Sequence, residues 1–357
     1  MMKKILRARR RPLPAFAGIL AVGIPMILTP TNGSPGPTIT AGDSKANCVS
    51  LSFPDGILHQ SMITAAGAVT GVTYNCLGVF ANPTSSWAQW ETPWMFSTAY
   101  DRWDAWLAES PAHQVVMGMD LIPQSLSDDG DPLTWEQPCA DGDYDQYATA
   151  LARNLVSYGA GDVVIRLGVE ANGNWEDDYV GSTTHEMSTW ATCFDNEVSA
   201  MRAVSGAHFL FVWNPNVCVD DLPLREWYPG NSYVDIIGVD AYDVDCWTLK
   251  SVSQEGWSAY FTDSAAVSSV STPGDSNFPS LANIEAFATA NGKSLSFPEW
   301  GLIAGMPDDP TYVTDMGQMF NDENFSFEDY FDSGTDAVSP LGPATPNATS
   351  AYSHVFG

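Results

Sequence analysis

The spacing of apolar and polar residues along this chain alternates between two patterns. Short apolar runs, typical of buried strands, occur at 76–80, 114–122, 162–170, 208–214, 234–242, 294–300 and 325–331. Apolar residues at helical spacing lie between several of them, at 99–110, 143–158, 186–204 and 281–291. In 143–158, Tyr147, Leu151 and Leu155 recur every four residues, and Gly159 stands where a C-cap belongs. The pattern predicts strands alternating with helices.

Strands that alternate with helices indicate a parallel sheet with helical crossovers. Because the composition does not change between the halves of the chain, one single (β/α)8 TIM barrel is favoured, with functional residues at the C-terminal ends of the strands. The missing eighth strand is expected in the Trp-rich stretch between Phe80 and Trp94. A doubly wound open sheet fits the strand count almost as well. However, the chain has neither a GxGxxG fingerprint nor a P-loop.

The first 41 residues differ from the rest of the chain. Six basic residues and no acidic ones precede an apolar run, Ala15–Leu28, that is short for a membrane span. This arrangement predicts a secretory signal and linker over residues 1–41 and one barrel domain over residues 42–357. We therefore expect a secreted, extracellular protein without stable membrane insertion after processing. A membrane anchor formed by an uncleaved signal is the alternative.

Beyond this leader the chain is strongly acidic. Eight basic residues stand against 43 acidic ones, a balance that repels nucleic acid and anionic membranes and suits a neutral partner such as a polysaccharide. All six cysteines also lie beyond the leader. In an exported protein this predicts up to three disulfide bonds, with the pairing open. The absence of any CxxC pair argues against a zinc or redox site.

The strand 162–170 carries two charged residues in an apolar run. Because strand side chains alternate faces, Arg166, Gly168 and Glu170 share one face, and the apolar residues Ile165, Leu167 and Val169 share the other. The face against the helices must be apolar, so Arg166 and Glu170 are predicted to point into the barrel. Glu170 is the last residue before the turn and should lie at the rim.

Two other strands end in the same way. Asp240 and Tyr242 share a face near the end of 234–242, and Glu299, predicted on the same face as Leu295 and Phe297, ends 294–300. Carboxylates on the rim positions of different strands suit cleavage of a glycosidic bond. One carboxyl group protonates the leaving oxygen, while the other attacks the anomeric carbon or activates water. The chain's 13 tryptophans add apolar faces for sugar rings.

Four ordered motifs carry a family resemblance. They are RLGVEANGNW at 166–175, FVWNPN at 211–216, YVDIIGVDAYD at 233–243 and PEWG at 298–301. Together they resemble glycoside hydrolase family 26, which includes β-mannanases and belongs to a clan of retaining (β/α)8 glycosidases. The resemblance spans roughly residues 70–357.

The resemblance implies a glycoside hydrolase, namely a secreted retaining endo-β-glycanase that acts on β-linked polysaccharide with two glutamates. Glu170 would be the general acid/base and Glu299 the nucleophile. Tyr242 would hydrogen-bond the nucleophile, and Arg166 would support the carboxylates from below. The other expected substrate-binding residues are Asn172, Trp175, Trp213, Asp240 and Trp300. No metal and no cofactor would be needed, and a monomer is expected.

One position departs from the family pattern. Its mannanases usually carry His directly before the acid/base, where this chain has Val169. β-1,4-Mannan is the first expected substrate, and mixed-linkage β-glucan and β-xylan remain open. Two other functions use the same residues: a non-catalytic carbohydrate-binding barrel, favoured by Val169 and the tryptophans, and a transglycosylase.

Overall fold

The computed structural model describes residues 45–51, 60–81, 84–94, 103–127, 131–217, 222–243, 281–305, 307–332 and 338–357. Within them, eight parallel strands form a closed barrel, because each strand pairs with the next and the eighth pairs with the first. They are β1 (Ala46–Leu51), β2 (Cys76–Phe80), β3 (Gln114–Met119), β4 (Val164–Val169), β5 (Leu210–Asn214), β6 (Ile236–Tyr242), β7 (Ser294–Ile303) and β8 (Phe325–Asp332). A short ninth strand, β9 (Val338–Ser339), pairs antiparallel with the end of β7. The predicted (β/α)8 barrel is confirmed.

Helices connect the strands and cover the barrel. They are α1 (Gln60–Thr70), α2 (Trp87–Trp90), α3 (Trp103–Glu109), α4 (Leu133–Ala140), α5 (Asp145–Ser157), α6 (Thr184–Arg202), α7 (Leu224–Trp227), α8 (Leu281–Asn291), α9 (Pro310–Asp322) and α10 (Pro346–Phe356). The apolar spacing predicted α5, α6 and α8, and Gly159 follows α5 with a positive φ of 78°. None of the helices in the described ranges has the length and hydropathy of a bilayer-spanning segment.

The prediction for the eighth strand was wrong. The stretch between Phe80 and Trp94 contains the short helix α2, while the barrel is completed by β1, at the start of the domain. β1 begins at Ala46 and pairs with both β2 and β8. The leader, the boundary at residue 42, Cys218 and Cys246 lie outside the described residues.

The barrel interior changes character from bottom to top. Its lower layer is apolar and is formed by Ala46, Cys48, Cys76, Val116, Val164, Val212, Ile236 and Phe327. Arg166 lies one inward position above Val164, and Glu170 follows the end of the same strand. The polar side chains are therefore supported from below by a packed apolar layer and confined to the C-terminal end of the barrel.

Two disulfide bonds confirm part of the cysteine prediction. Cys48–Cys76 joins β1 to β2 inside the lower barrel layer, and Cys139–Cys193 joins α4 to α6. They close loops with sequence separations of 28 and 54 residues. Loops of this size correspond to about 3–4 kcal/mol of stabilisation per bond through the reduced entropy of the unfolded chain.

Candidate active site

Arg166 connects the polar groups at the centre of the barrel. Its Nη2 atom lies 2.6 Å from Oδ2 of Asp240, and its Nε donates to Oδ1 of Asn214 at 2.8 Å. Both Nη atoms lie 3.4 Å from Oε2 of Glu299, and Nη1 also donates to the Pro298 carbonyl at 3.2 Å. The buried guanidinium thus has a partner for each nitrogen, which offsets the cost of burying its charge.

Glu170 sits where β4 leaves its regular geometry. The pairing of β4 with β5 shifts register between Arg166 and Val169, Gly168 has a φ of 70°, and Glu170 itself has a φ of 48°. A residue with a side chain reaches the left-handed region only at a cost, so the surrounding hydrogen bonds must hold it there. Two do so: the Glu170 amide donates to the Asn214 carbonyl, and the Gly173 amide donates to the Glu170 carbonyl. The distortion turns the Glu170 carboxyl into the cleft.

The same distortion moves Val169. The sequence pattern placed it on the outer face, yet its Cγ2 atom lies 3.2 Å from the point where a Cβ on the inward-facing Gly118 would be. Val169 is 8% exposed. The position at which the chain departs from the mannanase pattern therefore forms an apolar part of the inner wall beside Glu170.

Glu299 faces Glu170 from β7. It pairs in register with Asp240 of β6, accepts a 2.5 Å hydrogen bond from the Tyr242 hydroxyl at Oε1, and is 14% exposed. Burial, followed by the charge of Glu299, raises the pKa of Tyr242 well above its usual value. The phenol therefore stays protonated and donates to the carboxylate.

The carboxylates converge in one place. Glu170, Asp240 and Glu299 each contribute an oxygen, and these three oxygens lie within 4.8 Å of one another. Oxygens this close can share a cation, but Arg166 already supplies positive charge to Asp240 and Glu299. A separation of at most 4.8 Å between these oxygens is compatible with the carboxyl spacing of about 5–5.5 Å in retaining glycosidases and is too short for the roughly 6.5–9.5 Å of inverting ones.

Glu170 and Glu299 lie in different surroundings, which suit them to different chemical roles. Burial raises the pKa of Glu170 to about 7, and the charge of Glu299 adds to the rise. Asn216 and Arg166 oppose it. Glu299 instead has both carboxylate oxygens hydrogen-bonded, by Tyr242 on one side and Arg166 on the other. A carboxyl group with a raised pKa, facing a second carboxyl group whose two oxygens accept hydrogen bonds, is the arrangement of an acid and a nucleophile.

Asn172 does not face the cleft as expected for a sugar-binding residue. Its Nδ2 donates to the Asn216 carbonyl and its Oδ1 accepts from the Asn216 amide, both at 2.9 Å, and only 1% of its surface is exposed. Asn216 in turn donates to Glu170 Oε1 at 2.6 Å. Asn216 was not singled out from the sequence, although it is the last residue of the FVWNPN motif.

Trp213 and Trp300 lie outside the barrel, which corrects their predicted place in the cleft. Both are fully buried in the layer between strands and helices. Trp213 packs against Trp227 of α7, and the Trp300 indole donates to Glu328 at 2.8 Å. Successive side chains of a strand point to opposite faces. Because Asn214 and Glu299 point inward, the adjacent Trp213 and Trp300 point outward.

The expected common face of Leu295, Phe297 and Glu299 was also wrong. Leu295 and Phe297 pack in the outer core, while Glu299 points inward. The register of β7 shifts between Phe297 and Trp300. Pro298 lies in this interval and has no amide hydrogen for the ladder, which accounts for the interruption.

Trp175 is the predicted aromatic residue that remains accessible. It is 53% exposed, and its ring lies over Gly173, where a Cβ would come within 2.6 Å of the indole. Burial raises the pKa of the neighbouring Glu176 to about 9, and the charges of Asp178, Glu170 and Glu299 add to the rise. Glu176 is thus close enough to the two catalytic candidates to sense their charges. Trp175 therefore lies on the Glu170 side of the cleft.

Comparison with known proteins agrees with this geometry. Residues 139–280, which include Glu170, Asp240 and Tyr242, match the model of glycosyl hydrolase family 26. The matched residues make up less than half of the chain. Endoglucanase H of Acetivibrio thermocellus is 29% identical over 116 residues, which is 30% of this chain and 13% of that protein. The matched part is thus a small fraction of the relative.

Solved structures of mannanases share the fold. A β-mannanase of Bacteroides ovatus is 13% identical, with a TM-score of 0.55 and 88% of both chains covered. The Bacillus subtilis mannanase man26 is 15% identical, with a TM-score of 0.53 over 88% of this chain and 86% of that one. At such low identity these two structures establish the barrel fold alone.

Proposed function

We propose that this chain is a secreted retaining endo-β-glycanase that hydrolyses β-linked polysaccharide. The observation that carries the proposal is the convergence of Glu170 and Glu299, from separate strands, to an oxygen separation within 4.8 Å. The match of residues 139–280 to the glycosyl hydrolase family 26 model favours the same reaction class. Export is proposed from the basic and apolar leader.

In the first step, protonated Glu170 gives its proton to the glycosidic oxygen as that oxygen leaves. The Glu299 carboxylate, whose oxygens accept hydrogen bonds from Arg166 and Tyr242, attacks the anomeric carbon and forms a glycosyl ester. In the second step, ionised Glu170 takes a proton from water, and the water oxygen displaces Glu299. A pKa of about 7 lets Glu170 serve in both protonation states.

β-1,4-Mannan is the proposed substrate, with mixed-linkage β-glucan and β-xylan as competitors. The related solved structures are described as mannanases, whereas the relative in Acetivibrio thermocellus is named an endoglucanase. Val169 supplies no ring nitrogen to bond a sugar hydroxyl, so selectivity at this wall depends on shape. The exposed indole of Trp175 offers a stacking face on the side of the leaving sugar.

The test measures reducing-sugar release from these three polysaccharides by the wild-type protein, Glu170→Gln and Glu299→Gln. The proposal expects turnover of one polysaccharide and a loss of at least 10³-fold in each variant. An exposed glutamate, changed in Glu109→Gln on α3, serves as the matched control. Wild-type rates in both cleft variants, or binding without turnover by the wild-type protein, would overturn the proposal.

A further inference from the structure

Asn216 restricts the chemistry of one Glu170 oxygen. Its Nδ2 donates to Oε1 at 2.6 Å, and the two residues are only 4% and 8% exposed. An amide nitrogen donates and does not accept. While this bond exists, Oε1 serves as an acceptor, and because the carbonyl oxygen of a neutral carboxyl accepts better than its hydroxyl oxygen, the bond favours the proton on Oε2.

The backbone of Asn216 is fixed from two sides. Asn172 bonds both its amide and its carbonyl at 2.9 Å. On the other side, the neighbouring Pro215 carbonyl accepts from the Asp240 amide and the Val217 amide donates to the Asp240 carbonyl, each at 3.1 Å. The loops after β4 and β5 are thereby tied to β6, and the Asn216 side chain has a defined origin beside Glu170.

We propose that Asn216, held by Asn172, is the positioning residue that confines the catalytic proton to Oε2 of Glu170. Asn172 acts through Asn216 and does not bind sugar in this account. The proposal rests on the proposed function, because it assigns Glu170 the role of acid/base. It replaces the substrate-binding role that the family resemblance implied for Asn172.

The consequence for each step is specific. In glycosylation, the proton on Oε2 passes to the glycosidic oxygen as its bond to the anomeric carbon breaks, and Glu170 is left as a carboxylate. In deglycosylation, Oε2 takes one proton from water while the water oxygen bonds to the anomeric carbon and the ester bond to Glu299 breaks. The Asn216 bond to Oε1 persists through both steps and is strongest when Glu170 is ionised.

The first measurement compares two leaving groups in Asn216→Ala and in the nearly isosteric Asn216→Asp. A sugar leaving group needs the acid, whereas 2,4-dinitrophenolate leaves without it. For Asn216→Ala we expect kcat/KM on the cleaved polysaccharide to fall by about 10–100-fold, the range of one hydrogen bond to a charged group. On the matching 2,4-dinitrophenyl β-glycoside we expect a change below about 3-fold.

The second measurement is the pH profile of kcat/KM on the polysaccharide. Asn216 holds the pKa of Glu170 down by bonding the carboxylate. Removing the donor should move the alkaline limb to higher pH, and Asn216→Asp should move it further because a second negative charge faces Glu170. A loss of packing alone would lower the rate without moving the limb.

The third measurement asks whether Asn172 acts through Asn216. Asn172→Ala should change rate and profile in the same direction as Asn216→Ala, and the double variant should be no worse than Asn216→Ala. Asn196→Ala is the matched control, because the Asn196 side chain also makes two hydrogen bonds to backbone groups, here two carbonyls of α4, but lies on α6 away from the cleft. It should lower thermal stability and leave the pH profile unchanged.

Two outcomes separate this inference from the proposed function. Wild-type activity in Glu170→Gln would remove the acid/base assignment itself. An inactive Glu170→Gln together with a folded Asn216→Asp that keeps the wild-type rate and pH profile would overturn the positioning role alone. Multiplicative losses in the Asn172→Ala/Asn216→Ala double variant would overturn the part assigned to Asn172.

Discussion

Nη2 of Arg166 lies 2.6 Å from Oδ2 of Asp240, and neither side chain is more than 2% exposed. This ion pair is closed off from solvent and connects β4 to β6 beneath the candidate nucleophile. A buried pair gains little over an apolar pair of the same shape, but loss of one partner leaves a charge that nothing compensates. The pair therefore makes the cleft intolerant of substitution at either position.

Arg166→Met should lower the free energy of unfolding by about 3–5 kcal/mol and abolish activity, because Asp240 and Glu299 lose their counter-charge. Denaturant unfolding measures the first effect. Arg202→Met is the control, since the Arg202–Asp235 pair is 33% and 31% exposed and should contribute much less. Equal losses in both variants would contradict a special role for the buried pair.

Tyr242→Phe should lower kcat by about 10–100-fold with little change in melting temperature, because it removes one hydrogen bond to the Glu299 carboxylate and almost no volume. Steady-state kinetics on the cleaved polysaccharide measure the effect. Tyr312→Phe is the matched control: its hydroxyl donates to the Ala241 carbonyl on the outer side of β6. A Tyr242→Phe enzyme as active as Tyr312→Phe would show that the bond does not serve catalysis.

Trp175 and Trp300 should respond to alanine in opposite ways. Trp300→Ala should cost about 3–5 kcal/mol of stability, because the indole is fully buried and donates to Glu328. Trp175→Ala should leave the melting temperature nearly unchanged and raise KM, since the exposed indole is available to a sugar ring. A raised KM with an unchanged melting temperature in Trp300→Ala would instead indicate that Trp300 lines the cleft and binds sugar.

Stability should fall as pH rises from about 4.5 to about 9. Burial raises the pKa of Glu136 to about 9, so the folded protein keeps a proton there that the unfolded chain releases near pH 4.5. Its stabilising contribution is present below pH 4.5 and lost as pH approaches 9. Glu136 is fully buried, and neither carboxyl oxygen has a hydrogen-bond partner among the described residues.

The variant that tests this is Glu136→Gln. It should unfold at a higher temperature than the wild type at pH 8 and match it more closely at pH 4, because glutamine has no charge to bury. Calorimetry at the two pH values gives the comparison, with Glu109→Gln as the exposed control. A larger advantage of Glu136→Gln at pH 4 than at pH 8 would reverse the sign and contradict the argument.

Strand alternation predicted the part of the site that lies on regular strands. Arg166, Asp240 and Tyr242 point inward as their positions require, and the same rule sends Trp213 outward because its neighbour Asn214 faces inward. Val169 could not be placed, because a register shift in β4 has no signature in the sequence. Local periodicity carries no information about such an irregularity.

The first strand shows a different limit. β1 has the sequence ANCVSL, in which Asn47 and Ser50 weaken the apolar run, and it follows a lead-in of low complexity. It is a strand because β2 and β8 supply partners on both sides. The paired hydrogen bonds between Asn172 and Asn216 could not be predicted from the sequence either, since 44 residues separate the two. Both features depend on tertiary contacts that closure of the barrel creates.

Covalent trapping tests the central claim most directly. The protein is incubated with a 2-deoxy-2-fluoro β-glycoside that carries a dinitrophenolate leaving group. The fluorine slows both formation and hydrolysis of a glycosyl ester, and the reactive leaving group restores formation, so that the ester accumulates. Intact mass and peptide mapping then locate the label. The two-glutamate account predicts one sugar residue attached to Glu299 and none in Glu299→Gln. A protein that hydrolyses polysaccharide with inversion, or that carries the label on a residue other than Glu299, would contradict it.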